Sequence, residues 1–277
     1  MPRRSFLPLA VLALVAGCGT GTTASPSAAP SPTQDKAYMI QAAKADCMKT
    51  KGFRYVPYVY RLKLSEQDTK PFDYATEKAS RSKYGFGIFI GLGPDKTPDP
   101  DPEADPNVAI VTNLSPAQSS AYKKAAENCV VQAARQVTGK NVKSWSDWYG
   151  QAGEVLQRLW KRELDGDPKL VQLASDMGDC LTGKGYRVTA TNPVAMHEWA
   201  LQTVQRDLLG RHKTMTSDGD GATFRPITIP PDEARRKLNK EIKLALDDLE
   251  CGKQFYPAFL PKWTKLERRV YDEFGMI

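Results

Sequence analysis

Two nine-residue stretches of this chain match one another without a gap, and they determine the predicted fold. The first is Asp46-Cys47-Met48-Lys49-Thr50-Lys51-Gly52-Phe53-Arg54, and the second is Asp179-Cys180-Leu181-Thr182-Gly183-Lys184-Gly185-Tyr186-Arg187. Five of the nine positions are identical and two are similar. Each stretch follows apolar residues at helical spacing and then reaches a glycine, which suits a helix end where φ turns positive. The match predicts a duplicated helical unit with a cysteine near the end of its first helix.

A second helix with a cysteine is predicted in each half. Ser115-Pro116-Ala117-Gln118 forms a capping box with proline at the first helical position, and it predicts a helix through Cys129 to about residue 137. Pro231-Asp232-Glu233 opens a second such helix, which reaches Cys251. Each half therefore consists of a helix with a cysteine near its end, a long intervening segment, and a second helix that carries the partner cysteine.

The N-terminal residues look like an export signal followed by a tether. Arg3 and Arg4 precede an apolar stretch of roughly ten residues, about half of what a membrane-spanning helix needs. Val15-Ala16-Gly17-Cys18 resembles the lipobox of bacterial prolipoproteins. That resemblance implies that residues 1–17 are removed, that Cys18 carries the lipid, and that the protein is anchored on the outer face of the cytoplasmic membrane. Residues 18–36 are then the lipid-anchored tether, because a segment rich in Ser, Thr, Ala and Pro buries too little surface to fold.

Two alternatives concern this N-terminal region. The first is an ordinary secretory peptide that happens to contain a cysteine. The second concerns the export route, because Arg3-Arg4-Ser5-Phe6-Leu7 also resembles a twin-arginine motif. The sequence does not decide between this route and general secretion.

Four cysteines are left once Cys18 is assigned to lipid, and an even number in an exported protein predicts two disulfides. None of them forms a C-x-x-C pair, and the chain has 2 histidines, which disfavours structural zinc and thioredoxin-like chemistry. Three pairings are open. Duplication favours Cys47–Cys129 and Cys180–Cys251, because a unit that once folded alone would close its own bridge.

The composition narrows the choice of partners. The chain has 39 basic and 32 acidic residues, for a net charge of +7, and the basic residues do not form blocks. We therefore expect no nucleic-acid partner. No second hydrophobic run approaches spanning length, so the lipid on Cys18 is the expected membrane attachment. A cell-wall polymer or another envelope protein is the partner that this location favours.

The cysteine segments also resemble a known group. Asp46-Cys47-Met48 followed by Gly52-Phe53, and Glu241, Ala245, Asp248 and Cys251 at their spacing, look like segments of exported actinobacterial proteins without an assigned activity. The resemblance covers about a third of the chain. It implies an envelope location and supplies no catalytic residues.

Each candidate motif for catalysis, cofactor binding or metal binding lacks a residue or a spacing that it requires. His197-Glu198 begins like H-E-x-x-H, but position 201 is leucine, so an amphipathic helix over about residues 193–209 is favoured. Asp218-Gly219-Asp220-Gly221 lacks the glutamate that closes an EF-hand loop. Residues 84–92 are glycine-rich without a nucleotide-binding pattern, and we expect a short strand or a turn there. The sequence predicts no cofactor, no metal site and no catalytic residue.

Aromatic residues occur in two groups. Tyr55, Tyr58 and Tyr60 follow Gly52, and a second group in the joining segment consists of Trp145, Trp148, Tyr149 and Trp160. Packing between helices is the favoured role, since each ring buries a large apolar area. The alternative is a surface on which sugar rings stack.

These observations predict a mainly α-helical protein with minor β content, built as two related disulfide-closed halves. The halves span residues 37–138 and 168–277, the second with a C-terminal helix from about Trp263. Residues 139–167 join them and contain a helix from about 143 to 164. The predicted function is a non-enzymatic binding or interaction protein of the cell envelope. The alternative is a cell-wall hydrolase that uses paired carboxylates, which sequence alone does not exclude.

Overall fold

A computed structural model describes residues 35–59, 71–89, 105–209, 215–217, 222–224 and 229–276 of the chain. These residues are mainly helical, as predicted. They form the α-helices α1 Lys36–Thr50, α2 Tyr74–Tyr84, α3 Pro106–Thr112, α4 Pro116–Thr138, α5 Trp145–Glu163, α6 Pro168–Gly183, α7 Pro193–Thr203, α8 Pro231–Cys251 and α9 Phe255–Phe274. A π-helical segment, Val204–Leu209, continues α7. Two short strands, β1 Met215–Ser217 and β2 Ala222–Phe224, pair antiparallel.

The two matching stretches end their helices in the same way. Gly52 and Gly185 have φ of 78° and 87°. The amide of Phe53 donates to the carbonyl of Met48 at 3.0 Å, and the amide of Tyr186 donates to that of Leu181 at 3.1 Å. Each glycine amide also donates to the carbonyl three residues before it. Both helices therefore close with a Schellman motif, in which the residue after the glycine folds back on the last turn.

The predicted pairing of the cysteines is confirmed. Cys47 is bonded to Cys129 with a Cα–Cα distance of 5.5 Å, and Cys180 is bonded to Cys251 with 5.6 Å. Both distances suit a disulfide without backbone displacement. Each bridge joins the last turns of the first helix, α1 or α6, to the partner helix, α4 or α8.

The helix starts that the sequence predicted are also present. Ser115 accepts a hydrogen bond from the amide of Gln118, and the Gln118 side chain accepts one from the amide of Ser115, so the capping box of α4 is complete. α8 begins at Pro231. α9 begins at Phe255, eight residues before the predicted start at Trp263, because the aromatic rings of its first turns are buried.

Two hydrophobic clusters hold these helices together. The first core consists of Ile40, Val130, Val131, Ala133, Ala134, Val142, Trp148, Ala152, Leu156, Val270 and Phe274. The second core consists of Phe89, Leu164, Leu170, Ala174, Met177, Leu181, Met196, Trp199, Ala200, Val204, Ile229, Ala234, Leu244, Phe255, Tyr256, Phe259 and Leu266. A smaller cluster of Met48, Tyr122 and Cys129 surrounds the first bridge.

Two helices belong to both cores. α5 starts in the first core at Trp148, and Leu164 directly after its end lies in the second. α9 starts in the second core at Phe255 and ends in the first at Phe274. The two helices pack against each other and run in opposite directions, so they tie the cores together.

Residues 71–89 pack against helices that are distant from them in sequence. They fall within the predicted first half, yet Phe89 is part of the second core, and α2 lies along α8. The sequence did not predict α2 or α3. Over residues 84–89 the chain ends α2 and continues in turns, not in a strand.

Candidate functional site

The first candidate is a buried carboxylate on α8, the side chain of Glu241. Glu241 is fully buried, and its two oxygens accept three backbone hydrogen bonds from the turn after α2. Oε1 accepts from the amides of Phe86 and Ile88, both at 2.9 Å, and Oε2 accepts from the amide of Phe89 at 3.0 Å. A carboxylate with several backbone donors is satisfied in the interior without a cation.

Gly85 lets the chain approach this carboxylate. It has φ of 60° and ψ of −124°, a conformation that glycine adopts freely. A Cβ at this position would lie 2.7 Å from Cγ of Glu241, which is too close for any side chain. The glycine and the glutamate therefore form one packing unit that fixes residues 85–89 on α8.

The second buried carboxylate, Asp248, lies two helical turns further along the same face of α8. Its Oδ2 accepts hydrogen bonds from Arg81 Nη1 at 2.7 Å and from the Tyr256 hydroxyl at 2.6 Å. Arg81 also donates to the carbonyl of Ala245 at 3.2 Å and lies over the Tyr256 ring. Burial raises the pKa of Asp248, and the charge of Arg81 and the Tyr256 hydroxyl oppose that shift.

His197 lies on α7, close enough to Arg81 for the positive charge of Arg81 to act on its ring. Its ring packs against Phe259 and Trp263, with centroid distances of 4.9 and 4.6 Å. Burial, and then the charge of Arg81, lower the pKa of His197 to about 4. The ring is therefore neutral at neutral pH and packs as an aromatic group, in line with the helical role that the sequence favoured.

Glu241 and Asp248 are two of the residues on which the resemblance to exported proteins rests, and both bind groups of the chain itself. Ala245, between them, is also fully buried and presents its carbonyl to Arg81. The segment from Glu241 to Cys251 thus holds α2, the turn after α2, and α6 through its disulfide. These contacts give the segment a structural role.

The aromatic residues of α5 divide into packed and exposed rings. Trp148 is 3% exposed and belongs to the first core, and Trp160 stacks on Trp263 with a centroid distance of 4.0 Å. Trp145 and Tyr149, in contrast, are 44% and 47% exposed, and their ring centroids lie 4.7 Å apart. Packing explains the first two rings. Trp145 and Tyr149 also contact Trp148 edge-on, at 5.5 and 5.9 Å, and their remaining faces form an exposed aromatic surface.

A polar cavity of about 360 Å³ lies where α4 meets the chain before α5. It is half open to solvent, and its lining ends at Ser144, the residue before Trp145. The residues that line it are Glu127, Asn128, Val131, Gln132, Arg135, Lys143 and Ser144. Amide, hydroxyl and charged groups are thus available to a ligand close to the start of α5.

The predicted lipidation site Cys18 lies outside the described residues, as does the segment from Asp218 to Gly221, for which the sequence did not favour a calcium loop. Within the described ranges, no three or more His, Cys, Asp or Glu side chains are grouped so that they could hold a metal ion. In the same part of the chain, none of the helices is both long and apolar enough to cross a bilayer.

The buried carboxylates thus bind the protein's own segments, whereas the aromatic surface and the polar cavity are open to solvent. Comparison with known proteins assigns no function to the aromatic surface or to the polar cavity. No protein-family model matches the chain, and neither the curated proteins nor the solved structures contain a significant match.

Proposed function

We propose that this chain is a lipid-anchored protein of the bacterial cell envelope that binds a ligand or partner without chemical conversion. In this proposal residues 1–17 are removed, Cys18 carries the lipid, and the folded part lies beyond the outer face of the cytoplasmic membrane. The two closed bridges support an oxidising location, because disulfides persist there and are rare in the cytosol. The resemblance to exported actinobacterial proteins supports the same location.

Mass spectrometry of the protein from the native membrane fraction tests the anchor. We expect a mature chain that begins at Cys18, with an acyl-bearing N-terminal peptide, because the lipobox places the cleavage directly before that cysteine. A Cys18→Ala variant should keep its signal peptide or leave the membrane fraction. A mature chain that begins at another residue would contradict the anchor.

The observation that carries the binding role is the exposed aromatic surface of Trp145 and Tyr149. Large exposed rings supply apolar area on which the faces of sugar rings can stack, and hydrogen-bonding groups fix the orientation of a ligand. Such groups line the polar cavity, which reaches Ser144, the residue before Trp145 in the chain. A glycan of the cell wall has both an apolar ring face and many hydroxyls, so we propose it as the ligand.

Co-sedimentation with purified peptidoglycan tests this surface. We expect Trp145→Ala/Tyr149→Ala to weaken binding about tenfold or more, as removal of central aromatic contacts does. The matched control is Tyr84→Ala, which removes a tyrosine of similar exposure, 37%, from α2. Equal binding by the double variant and the control, with thermal unfolding unchanged in both, would rule the surface out.

We also propose that the fold arose by duplication, with related halves at residues 37–138 and 168–277 joined by 139–167. The helices that end at Gly52 and Gly185 close in the same way, and each disulfide joins the end of one of them to its partner helix. These similarities support a common origin. Residues 71–89 depart from this layout, because they belong to the first half in sequence and pack on α8 of the second half.

The geometry favours binding over hydrolysis by paired carboxylates. Hydrolysis would need two acids that face a shared cleft. Glu241 and Asp248, the two fully buried acids of the described residues, are instead engaged by backbone amides, Arg81 and Tyr256. Release of soluble fragments from peptidoglycan by the purified protein would overturn this preference.

A further inference from the structure

The two disulfides differ in how far solvent reaches them. Cys129 is fully buried, and Cys47 is half-buried. Met48 and Tyr122 lie in the same cluster, and the ring of Phe53 packs edge-on against Tyr122 at 5.4 Å. Side chains of both helices therefore enclose the first bridge on the Cys129 side, while Cys47 is partly accessible, with its Sγ 3.7 Å from Oε1 of Gln132.

The second bridge lies at the surface. Cys180 is exposed in the last turn of α6, and Cys251, at the end of α8, is half-buried. A disulfide reacts with a thiolate only when the thiolate can approach one sulfur along the S–S axis. A reagent can approach the exposed Cys180 in the folded protein, whereas the first bridge offers only the half-buried Cys47, since Cys129 is fully buried.

A set of polar contacts runs beside the second bridge and joins the same two segments. Asp247 accepts hydrogen bonds from Lys184 at 2.9 Å, Lys243 at 2.6 Å and Tyr186 at 2.7 Å. We call these four residues the Asp247 cluster. Burial opposes ionisation of Asp247, but the hydrogen bonds from Lys243, Tyr186 and Lys184 outweigh burial and lower its pKa to about 2.

The Asp247 cluster lies close to the bridge on both sides. Lys184 is four residues after Cys180, and Asp247 is four residues before Cys251, so each is one helical turn from its cysteine. The cluster therefore connects the end of α6 to α8 without relying on the sulfur atoms. If the bridge opens, these contacts hold the two cysteines near each other.

We propose that the Cys180–Cys251 bridge is a site of reversible thiol–disulfide exchange, with a dithiol reductant as the co-reactant. A thiolate of the dithiol attacks the sulfur of Cys180, the S–S bond breaks, and Cys251 leaves as a thiolate that takes up a proton. The second thiol of the reductant then attacks the mixed disulfide and releases Cys180. The dithiol loses two electrons and becomes a disulfide, and the protein gains two electrons as two thiols. The Cys47–Cys129 bridge stays closed.

Timed reduction of the full chain, purified with both bridges closed, tests this proposal. Dithiothreitol is the probe, N-ethylmaleimide quenches the reaction, and peptide mass spectrometry assigns the labelled cysteines. We expect Cys180 and Cys251 to be labelled together, about tenfold or more faster than Cys47 and Cys129, because access controls the exchange rate. Equal rates for the two pairs, or faster labelling of Cys47 and Cys129, would overturn the proposal.

Re-closure of the bridge tests the role of the Asp247 cluster. After removal of dithiothreitol, oxidised glutathione is added and the return of the Cys180–Cys251 bridge is timed. We expect Asp247→Asn to slow re-closure several-fold, since the cluster holds the cysteines near each other. The matched control is Glu273→Gln, which breaks the Lys140–Glu273 ion pair of 2.6 Å elsewhere on the surface and should leave the rate unchanged. An unchanged rate in Asp247→Asn would show that the cluster does not assist exchange.

Discussion

Replacing Asp248 with alanine is expected to lower the free energy of unfolding by about 3–5 kcal/mol, the usual effect of removing one partner from a buried ion pair. Arg81 is 14% exposed, and it would keep its charge in the interior with only the longer ion pair to Glu77, at 3.4 Å, in place of the buried carboxylate. The Tyr256 hydroxyl would lose its acceptor as well. Urea unfolding followed by circular dichroism measures the difference.

Two further variants make this prediction specific to the buried pair. Lys240→Ala removes an exposed charge from the same helix and should change stability by no more than about 0.5 kcal/mol. Arg81→Met/Asp248→Leu replaces both charges with apolar groups and should recover part of the loss. If Asp248→Ala were as stable as Lys240→Ala, the contact between α2 and α8 would contribute nothing to the fold.

The second large effect is expected from the enclosed disulfide. Replacing both Cys47 and Cys129 with alanine should lower the free energy of unfolding by about 4 kcal/mol, since the bridge closes a long loop and limits the freedom of the unfolded chain. The sequence separation is 82 residues, against 71 for Cys180–Cys251. Cys129 is also fully buried, so its loss leaves a small cavity in the cluster with Met48 and Tyr122.

The Cys180→Ala/Cys251→Ala variant is the matched comparison for the enclosed bridge. Its loop is nearly as long, but Cys180 is exposed and Cys251 is only half-buried, so we expect a loss that is somewhat smaller than that of the first pair. Denaturant unfolding under non-reducing conditions measures both. If Cys47 and Cys129 can both be replaced without loss of stability, the bridge between them does not restrict the unfolded chain.

The features that the sequence predicted correctly are local ones. The helix ends at Gly52 and Gly185 need only a glycine and the apolar residue that follows it. The start of α4 needs only Ser115 and Gln118 three residues apart. The pairing of the cysteines followed from the match between the two stretches, which is again a comparison of short segments.

The position of α2 could not be predicted in this way. Its contacts join residues far apart in the chain, such as Phe86 and Glu241, which are 155 positions apart. One signal was present: Glu241 and Asp248 lie on the apolar face of an amphipathic helix, with Leu244 and Leu249. Acids on a buried face require partners. That signal predicts partners for both acids without naming the segment that supplies them.

The aromatic residues of α5 show a second limit of sequence patterns. Trp145 and Trp148 lie three residues apart on one helix, yet one is exposed and the other is buried. Helical spacing places both near the same side. Their difference depends on which parts of α4 and α9 cover each ring, and no local pattern contains that information.

The two ends of the described chain meet at one point of the molecule. Gly275, directly after α9, lies against Lys36 and Ile40 in the first turns of α1, so close that a Cβ on Gly275 would be 2.5 Å from Cδ1 of Ile40. Any segment attached before α1 therefore leaves the folded part next to the first core, beside the end of α9. A reporter fused after residue 276 would emerge at the same place, so an experiment that must distinguish the two cores needs a label placed on α6 or α7 instead.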